Sequence, residues 1–249
     1  MKIKISAVSY TNTLPLVYGI NHHPELLARI EMSQDIPSVC AQKLIDKEVD
    51  LGFVPVAALL DIPNYEIISD YCIGSMGKVT SVYIFSKKPM AEIATLRLDA
   101  QSRTSNKLAL VLLQKYWKKT VRVIHEGEAD AYVEIGDRTF GKLDTEPFAY
   151  DLGEAWTEYC GLPFTYAVWA ANKRIPKEFI ALFNKALKYG LDHREEVIES
   201  IPKHENFDIR EYLMRSIDYS LDAGKREAIH LFHRLIVELN EPDYQKALS

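Results

Sequence analysis

The first half of the chain alternates short runs of β-branched and apolar residues with runs whose apolar residues recur at helical spacing. Strands are predicted at residues 2–8, 28–32 and 51–54, with helices at residues 14–20 and 37–46 between them. Strands and helices in this order favour a parallel sheet covered by helices. The chain is therefore predicted to begin with an α/β unit.

A second α/β pattern follows the first. Residues 79–86 place apolar side chains on both faces, which is typical of a buried interior strand. An amphipathic helix is predicted at residues 105–118, followed by strands at residues 121–124 and 132–135. One more long strand is predicted at residues 162–171, and the pattern after it is helical. The chain thus contains two α/β units and a helical C-terminal layer.

The connection between the two units decides the architecture. No flexible linker separates them, so two lobes would have to be joined by ordered strands, and residues 80–86 and 166–171 are the candidates. Such a protein would close a cleft around a small carboxylate-bearing molecule. The predicted division is lobe I at residues 1–84 and 168–249, with lobe II at residues 85–167. A single doubly wound sheet with a helical tail explains the same periodicities.

Composition narrows the class of protein. The 249 residues are 47% hydrophobic, which is enough for a substantial core, and the formal net charge is −5 with both signs scattered. These values argue against a nucleic acid partner. Polar residues at positions 9–13 interrupt the first apolar run, so no signal peptide is predicted and a cytoplasmic location is expected. No stretch reaches the roughly 20 apolar residues that span a bilayer, so no membrane association is expected.

Signatures of a metal site are weak. The three cysteines are far apart, without zinc-ligand spacing, and are expected to be free thiols. Glu227, His230 and His233 fall at i, i+3 and i+6 of a predicted helix, a spacing that some metal sites use. Because no partner motif accompanies them, they are better interpreted as a helix face. We expect no metal ion.

A polar turn at residues 9–13 separates the first strand from the first helix. Ligands of open α/β sheets bind at the carboxyl ends of strands, so Thr11 and Asn12 are candidates to bind a hydroxyl or a carboxylate. An equally simple interpretation is that Asn12 or Thr13 caps the helix.

Four residues before the amphipathic helix form a candidate anion site. Ser102, Arg103, Thr104 and Ser105 bring three hydroxyls and a guanidinium to the positive end of a helix dipole, where backbone N–H groups are free. An N-cap beside a solvated arginine explains the same residues.

Three further positions are weaker candidates. A glycine-containing loop at residues 72–79 brings Ser75 and Gly77 to the start of the next strand, where Ser81 could line a cleft. Asp137 follows another strand and is a candidate acceptor or base at the rim. The simpler interpretations are a serine bonded to the backbone and an Asx-turn.

Five sequence blocks connect these candidates. They are VSYTNTLPL at residues 8–16 and segments within residues 72–82, 98–105, 135–137 and 151–169. Together and in this order they resemble the chorismate dehydratase (MqnA) family of menaquinone biosynthesis. The resemblance spans roughly residues 3–172, and the helical C-terminal part adds little to it.

The resemblance implies the two-lobed fold of type II periplasmic binding proteins. It also implies the futalosine pathway and dehydration of chorismate to 3-[(1-carboxyvinyl)oxy]benzoate, with Asn12 and Ser81 as the catalytic residues. Thr11 and Cys160 depart from the residues more usual in the family. The expected substrate contacts combine this resemblance with the local arguments above: Tyr10, Thr11, Ser75, Gly77, Ser102, Arg103, Thr104, Ser105 and Asp137.

The expected chemistry needs no cofactor, because aromatisation of the ring drives the loss of water. The blocks contain no histidine, which favours a mechanism in which the enolpyruvyl carboxylate of the substrate removes the ring proton. One alternative is a non-catalytic solute-binding or sensing protein for a small carboxylate, against which the missing export signal argues. The other is the related 1,4-dihydroxy-6-naphthoate synthase, whose opening turn differs. The sequence leaves the oligomeric state open.

Overall fold

The computed structural model describes residues 2–239. In chain order, its strands are β1 (Ile3–Val8), β2 (Ile30–Asp35), β3 (Leu51–Pro55), β4 (Glu66–Ser75), β5 (Val82–Ser86), β6 (Thr95–Arg97), β7 (Arg122–Ile124), β8 (Ala131–Ile135), β9 (Phe148–Asp151), β10 (Phe164–Ala171) and β11 (Asp218–Ser220). Its α-helices are α1 (Leu14–Asn21), α2 (Pro24–Leu27), α3 (Pro37–Ile45), α4 (Arg103–Lys115), α5 (Leu152–Cys160), α6 (Lys177–Asp192), α7 (Arg194–Ser200), α8 (Ile209–Glu211) and α9 (Ala223–Leu239).

The strands form two sheets, one in each lobe. The first has the order β11-β4-β10-β3-β1-β2 and the second the order β7-β6-β8-β5-β9. Within the first sheet β1 runs parallel to β2 and β3, as the alternation of strands and helices predicted. Strand β10 runs antiparallel to both β3 and β4, so the sheet is mixed. The parallel pairing predicted for the first unit therefore holds for β1, β2 and β3, and the sheet as a whole is mixed because β10 inserts between β3 and β4.

The chain changes sheet at two places. It leaves the first sheet through residues 76–81 and returns to it through residues 152–163, which include α5. Strand β5 belongs wholly to the second sheet and β10 wholly to the first, so neither long strand is the crossing that the pattern predicted. The predicted boundaries after residues 84 and 167 fall inside these strands. Their apolar side chains on both faces reflect packing layers that cover both faces of the sheet.

Several elements were not predicted from the pattern. Strand β4 begins at Glu66, well before the glycine-containing loop, and its charged positions obscure the strand signal. Strand β11 has three residues and is too short to produce a period. The pair β9 and α5 falls in a region that the pattern left unassigned. Met1 and the last ten residues of the predicted lobe I lie outside the described residues.

The C-terminal helices hold the first lobe together. Helix α6 packs on α1 so closely that a Cβ atom added to Gly19 would lie 2.0 Å from the main-chain oxygen of Ala186. Only glycine permits this approach. Trp156, Phe164 and Trp169 are buried in the core. A membrane-crossing helix is absent from residues 2–239, since none of their helices is both long and apolar enough.

Candidate functional site

A cavity of about 60 Å³ lies between the two sheets. It sits beyond the carboxyl ends of β1 and β3, the location where open α/β sheets bind ligands. The described residues that line it are Val8, Tyr10, Asn12, Thr13, Pro37, Phe53, Pro55, Ile73, Val79, Ser81, Val82, Ser102, Thr104, Ser105, Ile135, Gly136, Tyr166 and Ala167. Six residues singled out from the sequence are therefore brought to one cavity: Tyr10, Asn12, Ser81, Ser102, Thr104 and Ser105.

The turn after β1 carries Asn12 into this cavity. The Thr13 hydroxyl lies 2.6 Å from the main-chain oxygen of Val8 and 2.7 Å from that of Tyr10, and it donates to these acceptors. Neither Asn12 nor Thr13 accepts a hydrogen bond from the first turn of α1, so the capping interpretation was wrong. These bonds hold the turn locally, and the half-buried Asn12 side chain lines the cavity, where the Tyr212 hydroxyl also contacts it.

The carboxylate of Asp151 ties the two crossings together. It accepts hydrogen bonds from the main-chain N–H groups of Val79 (3.1 Å) and Thr80 (2.8 Å) on the first crossing. It also accepts from those of Gly153 (2.9 Å) and Glu154 (3.1 Å) at the start of α5. Burial raises the pKa of Asp151, and these four N–H groups oppose that increase. The carboxylate thus fixes the segment that leads into β5.

Ser81 follows directly on this fixed segment. The preceding Thr80 has a φ of +61°, which is rare for a β-branched residue and indicates a strained backbone. Its N–H group is held by Asp151, which compensates for the strain. Ser81 is 1% exposed and its side chain lines the cavity, so strain and clamp together set its position.

Two tyrosines near the C-terminus support the catalytic candidates. The Tyr212 hydroxyl donates to Ser81 Oγ at 2.8 Å, and the Tyr219 hydroxyl donates to the main-chain oxygen of Asn12 at 2.9 Å. Both tyrosines are buried. Sequence reasoning missed them because the C-terminal region shows helical periodicity without a polar motif, and a tyrosine in such a pattern is ordinarily core.

The first turn of α4 forms a polar part of the wall. Ser102 Oγ accepts from the Ser105 N–H group at 3.0 Å, so Ser102 is the N-cap. Thr104 Oγ1 accepts from the Ala57 N–H group of the other lobe at 3.1 Å. The first N–H groups of a helix lack partners within the helix, and they carry the positive end of its dipole. The N-cap interpretation is therefore correct for Ser102. The remaining N–H groups at the N-terminus of α4 are still suited to bind an anion.

Arg103 points away from the cavity. Its guanidinium lies 2.8 Å from Gln42 Oε1 and 3.3 Å from a carboxylate oxygen of Asp61, both in the first lobe. Arg103 therefore bridges the two lobes and does not line the cavity. In this arrangement it is not a direct contact for a carboxylate inside the cavity.

Four other predicted residues surround the cavity without lining it. The Thr11 N–H group donates across the lobes to the carboxylate of Asp137 at 3.1 Å. Burial of this carboxylate raises the pKa of Asp137, although the residue as a whole is exposed. The Ser75 hydroxyl lies 3.3 Å from the Tyr166 hydroxyl and 3.3 Å from the main-chain oxygen of Gly77. These residues support the lining residues from behind.

Tyr10 closes the rim between the lobes. Its hydroxyl donates to Gln101 of the second lobe. Its ring lies over Gly136, where an added Cβ atom would come within 3.1 Å of it. Gly136 has a φ of +64°, so both the backbone conformation and the close ring require glycine. Beside this contact, Arg138 pairs with Asp99 at 2.6 Å.

The wall of the cavity is uncharged. Among its described lining residues, the only titratable side chains are those of Tyr10 and Tyr166, and burial raises the pKa of both. Within residues 2–239 no group of three or more His, Cys, Asp or Glu side chains is placed to hold a metal ion. His233 instead contacts the main-chain oxygen of Val56 at 2.8 Å, and burial lowers its pKa.

Comparisons with known proteins support the fold. The protein AF1704 from Archaeoglobus fulgidus matches with a TM-score of 0.72 and 14% identity, covering 95% of this chain and 97% of that one. The CA3427 gene product of Candida albicans, described as exhibiting the generic periplasmic binding protein fold, matches with a TM-score of 0.68 and 13% identity. That match covers 100% of this chain and 94% of the other. The predicted two-lobed fold of the periplasmic binding protein type is confirmed.

Comparisons of sequence identify the family. A chorismate dehydratase from Thermus thermophilus is 25% identical over 221 residues, which cover 77% of this chain and 78% of that protein. A family model described as menaquinone biosynthesis matches residues 3–238, which is nearly the whole chain. The chain therefore belongs to the menaquinone biosynthesis family.

Proposed function

We propose that this protein is a chorismate dehydratase, which removes water from chorismate to give 3-[(1-carboxyvinyl)oxy]benzoate. The observation that carries the proposal is that Asn12 and Ser81 line one cavity between the sheets together with the first turn of α4. Membership of the menaquinone biosynthesis family and the similarity to a protein named chorismate dehydratase support it.

The reaction is an elimination. Chorismate loses the hydrogen on the ring carbon that bears the enolpyruvyl ether, and it loses the hydroxyl on the adjacent carbon. The electron pair of the C–H bond becomes the third double bond of the ring as the C–O bond breaks. The abstracted proton passes from the base that removes it to the departing hydroxide, so the net loss is one water and the base is regenerated. Substrate and product differ only by this water, so the reaction needs no oxidant or reductant.

The proton is assigned to a base on the substrate. Among the described residues that line the cavity there is no carboxylate, histidine or lysine, and the raised pKa values of Tyr10 and Tyr166 keep both protonated near neutral pH. The enolpyruvyl group is attached through its ether oxygen to the ring carbon that loses the proton. A cavity that fixes its conformation can therefore hold its carboxylate close to that hydrogen. Orientation of this kind accounts for a large part of many enzymatic rates.

The protein groups assist the departing hydroxyl and orient the ring. Asn12 and Ser81 each supply a neutral hydrogen-bond donor, and such donors stabilise charge that develops on a leaving oxygen. The first turn of α4, with Ser102, Thr104 and Ser105, is assigned to the ring carboxylate because a helix N-terminus favours an anion. Tyr10 closes the rim, which keeps bulk water from the reacting carbons.

Incubation of the purified protein with chorismate and no added cofactor tests the proposal. We expect a product lighter by one water by mass spectrometry, with the ultraviolet absorbance of an aromatic ring. The Asn12→Ala variant, prepared in the same way, controls for contaminating enzymes. Unchanged chorismate that raises the melting temperature of the protein would indicate a binding or sensing protein instead. If chorismate neither reacts nor stabilises the protein, the substrate is wrong.

A further inference from the structure

Tyr212 lies directly behind the cavity wall. It begins a π-helical turn, Tyr212–Ser216, immediately after the short helix α8. Turns of this kind insert extra backbone into a helix and occur frequently at functional sites. The side chain is 1% exposed and is not among the residues that line the cavity.

The hydrogen bond from Tyr212 sets the direction of the Ser81 hydroxyl. The Tyr212 hydroxyl donates to Ser81 Oγ at 2.8 Å, and both side chains are 1% exposed. A serine hydroxyl has one proton to donate and two lone pairs that accept. Because Tyr212 occupies a lone pair, the proton of Ser81 remains available for the cavity that Ser81 lines. Donation from Tyr212 also polarises this O–H group and strengthens it as a donor.

The ring of Tyr212 is held by aromatic residues of both lobes. Its centroid lies 5.6 Å from that of Phe140, which belongs to the second lobe, in an edge-to-face arrangement. It lies 5.3 Å from that of Phe207, which belongs to the first. Phe140 and Phe207 stack on each other at 3.7 Å. The position of Tyr212 therefore depends on contact between the lobes.

Burial also fixes the protonation of the hydroxyl. It raises the pKa of Tyr212, so the side chain keeps its proton throughout the neutral range and remains a donor. Ser81 Oγ therefore faces a permanent donor on the side away from the cavity.

We propose that Tyr212 is a positioning residue for the dehydration: it donates to Ser81 and thereby directs the Ser81 proton into the cavity, toward the departing hydroxyl of the substrate. This inference rests on the function proposed above. Tyr212 does not line the cavity, so it acts through the residues that do. Because its ring packs against both lobes, it aligns Ser81 when the lobes are together.

The Tyr212→Phe variant tests this role, since it removes the hydroxyl and keeps the ring. We expect kcat to fall by about tenfold to a hundredfold, with KM changed by less than about threefold and Tm nearly unchanged. Tyr132→Phe is the matched control, because it removes a hydroxyl that donates to Glu146 at 2.6 Å in the second lobe. Its turnover should equal that of the wild type. A large drop in Tm, or a rise in KM that accounts for the loss, would overturn the inference by indicating general loosening.

A double-mutant cycle separates this role from an effect on the fold. If Tyr212 acts through Ser81, adding Tyr212→Phe to Ser81→Ala should cause no further loss of kcat. Losses that multiply would overturn the inference, as would wild-type turnover in Tyr212→Phe. Wild-type protein assayed in parallel distinguishes the two proposals: if it does not dehydrate chorismate, the proposed function itself fails.

Discussion

A short turn near the start of the chain and a segment near its far end both hold residues of the same cavity wall in place. The turn at residues 9–13 carries Asn12 and is fixed locally, by bonds from Thr13 to main-chain oxygens three and five residues away. The segment at residues 212–219 carries no lining residue. It acts through two hydroxyls, one bonded to Ser81 at a separation of 131 residues and one to Asn12 at a separation of 207.

The two segments differ in whether their role can be recognised from the sequence. The first turn presents its functional group through local backbone geometry, and it is therefore visible as a sequence motif. The second contributes only alignment, and its contacts exist only after the chain has folded. A tyrosine that aligns a serine from behind is indistinguishable in sequence from a tyrosine that fills a core.

The strongest test removes the clamp on which the position of Ser81 depends. Asp151→Ala leaves four main-chain N–H groups without their acceptor, in a place that is 5% exposed in the wild type. We expect the free energy of unfolding in urea to fall by about 3–5 kcal/mol, because buried donors without partners are costly. Asp144→Ala, at an exposed position, should change it by less than about 0.5 kcal/mol. A loss below about 1 kcal/mol for Asp151→Ala would contradict the clamp.

The next test removes the group that the N-terminal turn presents. Asn12→Ala is expected to lower kcat by about a hundredfold or more, equivalent to roughly 2.7 kcal/mol of transition-state stabilisation, while chorismate still binds. Turnover and the dissociation constant are measured separately. Asn21→Ala, at an exposed position at the end of α1, is the control. Undiminished turnover in Asn12→Ala would remove Asn12 from the mechanism.

A smaller effect is expected from the contact that joins the two turns. Tyr219→Phe removes the donor to the main-chain oxygen of Asn12. We expect a loss of about 1 kcal/mol in the free energy of unfolding and a fall of a few-fold in kcat, because one neutral hydrogen bond is lost and the turn loosens. Denaturation and steady-state kinetics measure both. The Tyr132→Phe variant should keep wild-type kcat. If Tyr219→Phe were as inactive as Asn12→Ala, the C-terminal segment would have more than an aligning role.

The smallest effect concerns the contact between Thr11 and Asp137. Burial raises the folded-state pKa of Asp137, so the stability contributed by this group is full at low pH and is lost as pH rises from the unfolded value through the folded one. Asp137→Asn keeps an acceptor for the Thr11 N–H group without the buried charge. We expect its Tm to be slightly higher than that of the wild type at pH 7. The corresponding gain in the free energy of unfolding should be less than about 1 kcal/mol, because solvent screens the charge of this exposed residue.

Melting curves at several pH values test this prediction. The advantage of Asp137→Asn should shrink as the pH falls through the raised folded-state pKa of Asp137, and it should be lost below about 4, where the carboxyl is neutral in both the folded and the unfolded wild type. A lower Tm for the variant at pH 7 would show that the charge strengthens the bond to Thr11 by more than burial costs.

The predictable elements are those with an unambiguous period. Strand β1, helices α1, α3 and α4, and strand β8 lie close to the expected positions because their apolar residues follow one face. The crossings between the sheets were misplaced, because a strand with two apolar faces has the same pattern whether it joins two lobes or lies inside one sheet. Arg103 shows the same limit at the site. A cation beside a helix N-terminus suits an anion, and here its guanidinium bridges to Asp61 and Gln42.

The sequence by itself determined the α/β units and the polar turn with Asn12, because these depend on residues close in the chain, and it offered an N-cap before α4 as one of two interpretations. Only the tertiary structure decided that Asn12, Ser81 and the first turn of α4 share one cavity, and that Tyr212 and Tyr219 stand behind it. The physical reason is the separation along the chain of the residues that make each contact. Hydrogen bonds of turns and caps join neighbours along the chain, whereas the cavity wall is assembled by packing between segments more than a hundred residues apart.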